Sequence, residues 1–378
     1  MTEKWPDPGH GYKIRERLGG GMWKTAYRAS SLFSLSDVAL LYFHDDAALE
    51  VLAGEQRNLL LSASNHEFKE YLARYDGWIK GQDKRWFIVE ELLQRPLDRL
   101  APVRDLAQFV NLARDLCRGL TCLHEQGAVH RDLKLDNFGL DYRQRAKIFD
   151  LGTVTSEGGD VRGTIFTRAP ELWTSAKRKP QRRKKKPVGP RFIRSCDTWA
   201  LGAALFALRQ GSYPFVYQFE MERRRELNDQ TIAGKISKPK AEEEKRELDQ
   251  QAFRRITESG ASAKLKARVH EVLRGRSEDI LNSMLEFAPE KRKHARYYAV
   301  AWDEVAEELA QPVPPVRRHQ EKWQRLLNQL RAVERHELVL SRGQLDRVIA
   351  ELEEEKAKKE NVPPLEELED ALRKIRVP

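Results

Sequence analysis

"VHRDLKLDNFGL", residues 129–140, decides the reading of this chain. His130, Arg131 and Asp132 stand together, and Asn137 follows five residues after the aspartate. Further on, "AKIFDLG" puts Asp150 at the end of a strand-like run and the start of a loop. "GTIFTRAPE" closes the segment at Glu171, and "DTWALG", residues 197–202, opens a helix.

The flanking sequence supplies the architecture. Before residue 129, apolar residues recur at three and four: Phe109, Leu112, Ala113, Leu116, Leu120, Leu123. That spacing predicts a long amphipathic helix over Leu106–His124. Earlier still, "YKIRERLGG", "KTAYRAS" and "DVALLYF" read as strands broken by Gly and Ser, and residues 46–63 switch to helical spacing. "YLARYDGWIKG" and "KRWFIVEELL" read as a strand pair around "GQDK". From Asp197 to about Val300 the pattern is helical, with a loop-like break at "AGKISKPK". A β-rich start carrying one helix, followed by a helix-rich body, predicts an α+β fold of two lobes with a cleft between them. The expected boundaries are 1–93 for the first lobe and 94–311 for the second, with a basic insert at 174–194. "PVPPV" then opens a linker and helical tail over 312–378. Its stripe Trp323, Leu326, Leu327, Leu330 and Val333 either packs on the body or serves as a docking helix.

Composition narrows the class. The 378 residues carry a net charge of +10, with 33% charged residues. Ten of the Lys and Arg lie within 172–194, which has no acid, and the rest of the chain balances at 58 against 58. The basic character therefore belongs to one insert. Three cysteines, Cys117, Cys122 and Cys196, argue against a disulfide framework and for a reducing compartment. Cys117 and Cys122 fall in the long helix and read as core thiols. With no apolar signal core and no membrane-length run, a cytoplasmic chain is expected.

The ordered motifs over roughly residues 12–302 resemble the eukaryotic-type protein kinase family. The resemblance implies a bilobal fold with a β-rich N-lobe and a helical C-lobe, and transfer of the ATP γ-phosphate to a protein hydroxyl. It implies that Asp132 accepts the hydroxyl proton, that Asn137 and Asp150 hold Mg²⁺, and that Lys134 meets the γ-phosphate. Thr164 would bridge Asp132 and Lys134. Lysine in "HRDLK" is similar to the serine/threonine branch. Asp197 would be a buried brace, and Glu171 would pair with Arg292. Around ATP the resemblance puts Gly19, Gly21, Ala26, Ala39, Glu91 and Leu93, and it makes Glu55, in "GEQRNLLL", the helix glutamate that normally pairs with a strand lysine.

One residue departs from the pattern. The family has V-A-x-K where this chain has Val38, Ala39, Leu40, Leu41, and no lysine occurs between Lys24 and Lys69. "GGGMWKTAY" is similar instead to the glycine loop of the with-no-lysine (WNK) kinases, in which the lysine replaces the third glycine. In a strand, Lys24, Ala26 and Arg28 share one face, so Lys24 would point into the cleft beside a roof at Ala26. Arg28 is the weaker substitute. The main expectation is an active serine/threonine kinase using ATP and Mg²⁺ on a protein substrate, an acidic one or the chain itself. Two rivals are a pseudokinase scaffold and a regulator that binds nucleic acid through "KRKPQRRKKK", residues 177–186, which lack interleaved aromatics.

Overall fold

The three runs broken by Gly and Ser form an antiparallel meander: β1 (Tyr12–Gly20), β2 (Lys24–Ser31) and β3 (Val38–Phe43). β4 (Tyr75–Lys80) and β5 (Trp86–Glu91) complete a sheet of order β1-β2-β3-β5-β4. The computed structural model describes residues 5–20, 24–32, 36–44, 66–151, 154–156, 165–176, 190–232 and 234–310. The expected helix at 46–63, Gly21, Glu55, Thr164, the basic run 177–186 and the tail 312–378 lie outside the described residues. The chain divides into two units, Met1–Glu308 and Leu309–Pro378.

Strand alternation gives the sheet two unlike faces. Ile14, Tyr27, Ala29, Val38, Leu40, Phe87 and Val89 pack together on one. The other face carries Lys24, Ala26, Ala39, Leu41, Ile88 and Glu90. Register joins them in rows: Ala26 opposes Leu41, which opposes Ile88, while Arg28 opposes Ala39, which opposes Glu90.

The helical lobe is built on α1 (Leu106–Glu125), capped by the Asp105 carboxylate, which accepts from the Gln108 amide at 2.6 Å. Its apolar stripe is buried as the spacing predicts. Gly119 lets α1 approach the turn at 69–71, since a Cβ there would sit 2.7 Å from the Tyr71 carbonyl oxygen. Cys117 and Cys122 are buried thiols, and burial pushes the Cys122 thiol up to about 12.

Next come a sheet of order β6 (Arg95–Pro96), β8 (Phe138–Leu140), β9 (Ala146–Ile148), and β7 (Ala128–Val129), which pairs with β10 (Thr155–Ser156). The helices α2 (Pro170–Ala176), α3 (Pro190–Gln210), α4 (Gln218–Ile232), α5 (Lys238–Thr257), α6 (Ala261–Val272), α7 (Arg276–Met284) and α8 (Ala295–Ala310) follow. This is the bilobal protein kinase fold expected from the sequence. One boundary differs: α3 starts at Pro190, so Asp197 lies within a helix and does not open one. From Ile193 the helix turns inward, with Ile193, Ser195, Asp197, Thr198 and Trp199 buried. The last residues of the basic stretch are therefore helical.

Candidate active site

The loop between β7 and β8 is held from beneath. Asp197 of α3 is 1% exposed and accepts from the main-chain amides of His130 at 2.7 Å and Arg131 at 2.8 Å. His124 of α1 reaches the same carboxylate at 3.2 Å. Arg131 has φ 68°, a left-handed conformation unusual for a non-glycine residue. The carboxylate holding both amides stabilises it. Asp197 is thus the brace expected of it.

His130 is fully buried, which lowers its pKa and favours the neutral ring, although Asp197 opposes this. Its Nδ1 accepts from the Asp132 amide at 3.3 Å and its Nε2 faces the Phe149 carbonyl oxygen at 3.4 Å. This pattern puts the proton on Nε2 and ties the loop of Asp132 to the residue before Asp150.

Above the brace, the predicted chemical groups converge. Lys134 Nζ donates to Asp132 Oδ2 at 2.8 Å. Asn137 Nδ2 donates to the Asp132 carbonyl oxygen at 2.8 Å and reaches Oδ2 at 3.4 Å. With its nitrogen turned to Asp132, Asn137 presents its amide oxygen on the other side. The Phe149 amide donates to the Asn137 carbonyl oxygen at 2.9 Å, which brings Asp150 beside Asn137. Asp150 itself has φ 57°.

Lys24 reaches down from the sheet, and its ammonium donates to Asp150 Oδ1. Burial alone would raise the Asp150 pKa, but the Lys24 cation, with Lys134 behind it, holds it below the usual carboxylate range. An ionised carboxylate and an amide oxygen are hard donors that fit Mg²⁺. Among the described residues no three His, Cys, Asp or Glu side chains gather into a metal cage. A cation here would take its remaining ligands from phosphate and water.

Leu41 occupies the position where the family has its lysine, 8% exposed between Ala26 and Ile88. Arg28, the weaker substitute, is bonded through Nε to Asp37. Gly19 is a β1 residue opposite Ala26, with open space where a side chain would stand. Glu91 turns its carboxylate to Lys147, at 2.8 and 3.0 Å, and to the Arg74 amide at 3.0 Å. Its side chain is a structural ion pair, leaving the main chain as what it can offer a nucleotide. Leu93 lies over Gly139, where a Cβ would come within 2.9 Å of Leu93 Cδ1. Glu171 and Arg292 form the expected double ion pair at 2.7 and 2.9 Å.

Sequence reasoning missed Glu90. It is 9% exposed, on the cleft face opposite Ala39. Burial pushes its carboxyl up to about 7, against the pull of Lys24 and with the push of Asp150. The available signal was the alternation in "WFIVEE", which sets Glu90 on the face of Ile88 and Glu91 on the other.

The chain is 25% identical over 243 residues to the serine/threonine-protein kinase CLA4 of Saccharomyces cerevisiae, covering 56% of this chain and 27% of that one. It is 29% identical over 210 residues to mitogen-activated protein kinase kinase kinase 3 of Arabidopsis thaliana, covering 52% and 35%. The dual serine/threonine and tyrosine protein kinase of Homo sapiens is 35% identical over 114 residues, covering 29% and 11%. The chain thus spans between 11% and 35% of the length of these relatives. The protein kinase domain model matches residues 12–300. With that match embracing both lobes and the Asp132–Asn137–Asp150 constellation between them, the chain belongs to the protein kinase domain family, whose members use ATP to phosphorylate proteins.

Proposed function

We propose that this chain is a serine/threonine protein kinase in which Lys24, on β2, anchors the ATP phosphates in place of the absent β3 lysine. The observation that carries this is the Lys24–Asp150 contact across the cleft, with the apolar Leu41 in the slot the lysine vacated. From the start of β2, Lys24 extends toward the loop that carries the candidate metal ligand. This is the arrangement in which a with-no-lysine placement works.

Phosphoryl transfer is mostly positioning and charge neutralisation. Asp132 accepts the proton of the attacking hydroxyl. Lys134, 2.8 Å from Asp132, keeps that carboxylate oriented and meets the charge on the transferred group. Asn137 and Asp150 would hold Mg²⁺, which would supply neutralisation of phosphate charge. Lys24 adds the fixed cation on the opposite wall. A lysine two residues after Asp132, with the serine/threonine kinases among the relatives, supports hydroxyls of serine and threonine as acceptors.

The test is incubation with labelled ATP, Mg²⁺ and a generic protein acceptor, with autophosphorylation read in parallel. Wild type should transfer phosphate, Asp132→Asn should fall to near background, and Lys24→Met should transfer far more slowly. Nucleotide binding without transfer in wild type would make the chain a pseudokinase scaffold.

A further inference from the structure

We infer that Glu90 is a positioning residue for Lys24, the carboxylate that holds the ammonium when nucleotide and metal claim Asp150. This rests on the reading of Lys24 as the phosphate anchor.

Lys24 bonds Asp150, and Asp150 is also the candidate metal carboxylate. A cation bound there competes for the same oxygens, so a further acidic group on the described cleft face, besides Glu55 outside it, would help keep Lys24 aimed at the phosphates. Glu90 has the position. It shares the cleft face of the sheet with Lys24, Ala26, Ala39 and Leu41. Its strand is paired on both sides, Glu90 opposing Ala39 of β3 and Tyr75 of β4, so its main chain is rigid. The row between it and Lys24 is apolar, formed by Ala26, Leu41 and Ile88. Attraction across such a low-dielectric floor is stronger than in water.

Burial raises the Glu90 carboxyl to about 7 even against the pull of Lys24, and an ammonium released from Asp150 would favour its charged form. The charges of Lys24 and Asp150 both act on Glu90, so the three groups already share one field. The adjacent acid, Glu91, cannot substitute, because Lys147 and the Arg74 amide take its oxygens.

The experiment is calorimetric titration of the full chain with Mg-ATP and, separately, with adenosine. It compares wild type, Glu90→Gln, Lys24→Met and the double variant, with melting curves to verify folding. Glu90→Gln keeps shape and removes charge. It should weaken Mg-ATP binding about tenfold, the size of a typical coupling between neighbouring charged groups, and leave adenosine binding unchanged. In the Lys24→Met background it should add no further loss. Glu90→Asp should restore part of the affinity by returning the carboxylate. An equal loss in both backgrounds, equal weakening of adenosine, or no loss in wild type would overturn the assignment of Glu90 while leaving Lys24 standing. Wild-type Mg-ATP affinity in Lys24→Met alone would instead remove the Lys24 reading, and this inference with it.

Discussion

Lys24 of β2 donates to Asp150 of the loop after β9, joining two residues 126 apart in sequence across the cleft. A cation expected among glycines thus meets the carboxylate that the motif pattern assigns to metal. Leu41, at the usual lysine position, is buried between strands.

Exchanging these two positions tests the Lys24 assignment directly. Lys24→Met removes one preorganised charge and should cost on the order of 10²–10³ in rate. Leu41→Lys alone should not raise activity, because it adds a second cation to an apolar row. Lys24→Gly combined with Leu41→Lys should recover part of the rate. A steady-state assay of the four proteins decides, and undiminished transfer by Lys24→Met would turn attention to Arg28.

Asp132→Asn and Asp150→Asn should each reduce phosphoryl transfer to near background for different reasons. The first removes the proton acceptor and the second the anionic oxygens for Mg²⁺. Titration should separate them: Asp132→Asn keeps Mg-ATP binding, while Asp150→Asn loses its Mg²⁺ dependence. Near-wild-type turnover in either variant would contradict the assignment.

Asp197→Ala should act through the fold. It strands the buried amides of His130 and Arg131, and each unsatisfied donor costs about 1–3 kcal/mol. The left-handed Arg131 then loses its support. A thermal melt should show a clear loss of stability, larger than for Asp132→Asn, whose carboxylate is nearer solvent.

Glu125, at the end of α1, accepts from Arg296 at 2.5 and 2.7 Å and from His66 at 2.8 Å. Hydrogen bonding to Arg296 is the main reason its carboxyl is held at about 2. A pKa lowered on folding contributes stability that is present above the ordinary glutamate range. That stability is lost as pH falls toward 2. Solvent screening at this partly exposed site limits it to about 1 kcal/mol. Glu125→Gln should lower stability near neutral pH and flatten its decline below pH 5, read by denaturant unfolding across that range. An unchanged pH slope would show that the pair contributes nothing.

Much of this protein was legible in one dimension because its determinants are local. Strand alternation, three-and-four spacing and Gly or Pro breaks act over a few residues. They located β1 to β5 and α1, and the ordered motifs marked Asp132, Asn137 and Asp150. The start of α3 was misread because a basic run looks like an insert, although its last residues can be helical when the following turn is buried. Other relationships depended on which distant elements meet. Alternation told that Lys24 faces a cleft, but only folding brings it to Asp150. "VEEL" contains two adjacent acids, and only tertiary structure decides that Lys147 claims Glu91 while Glu90 is buried in the field of Lys24. Charge partners separated by scores of residues leave no periodic trace, since their energy depends on distance and burial in the folded state.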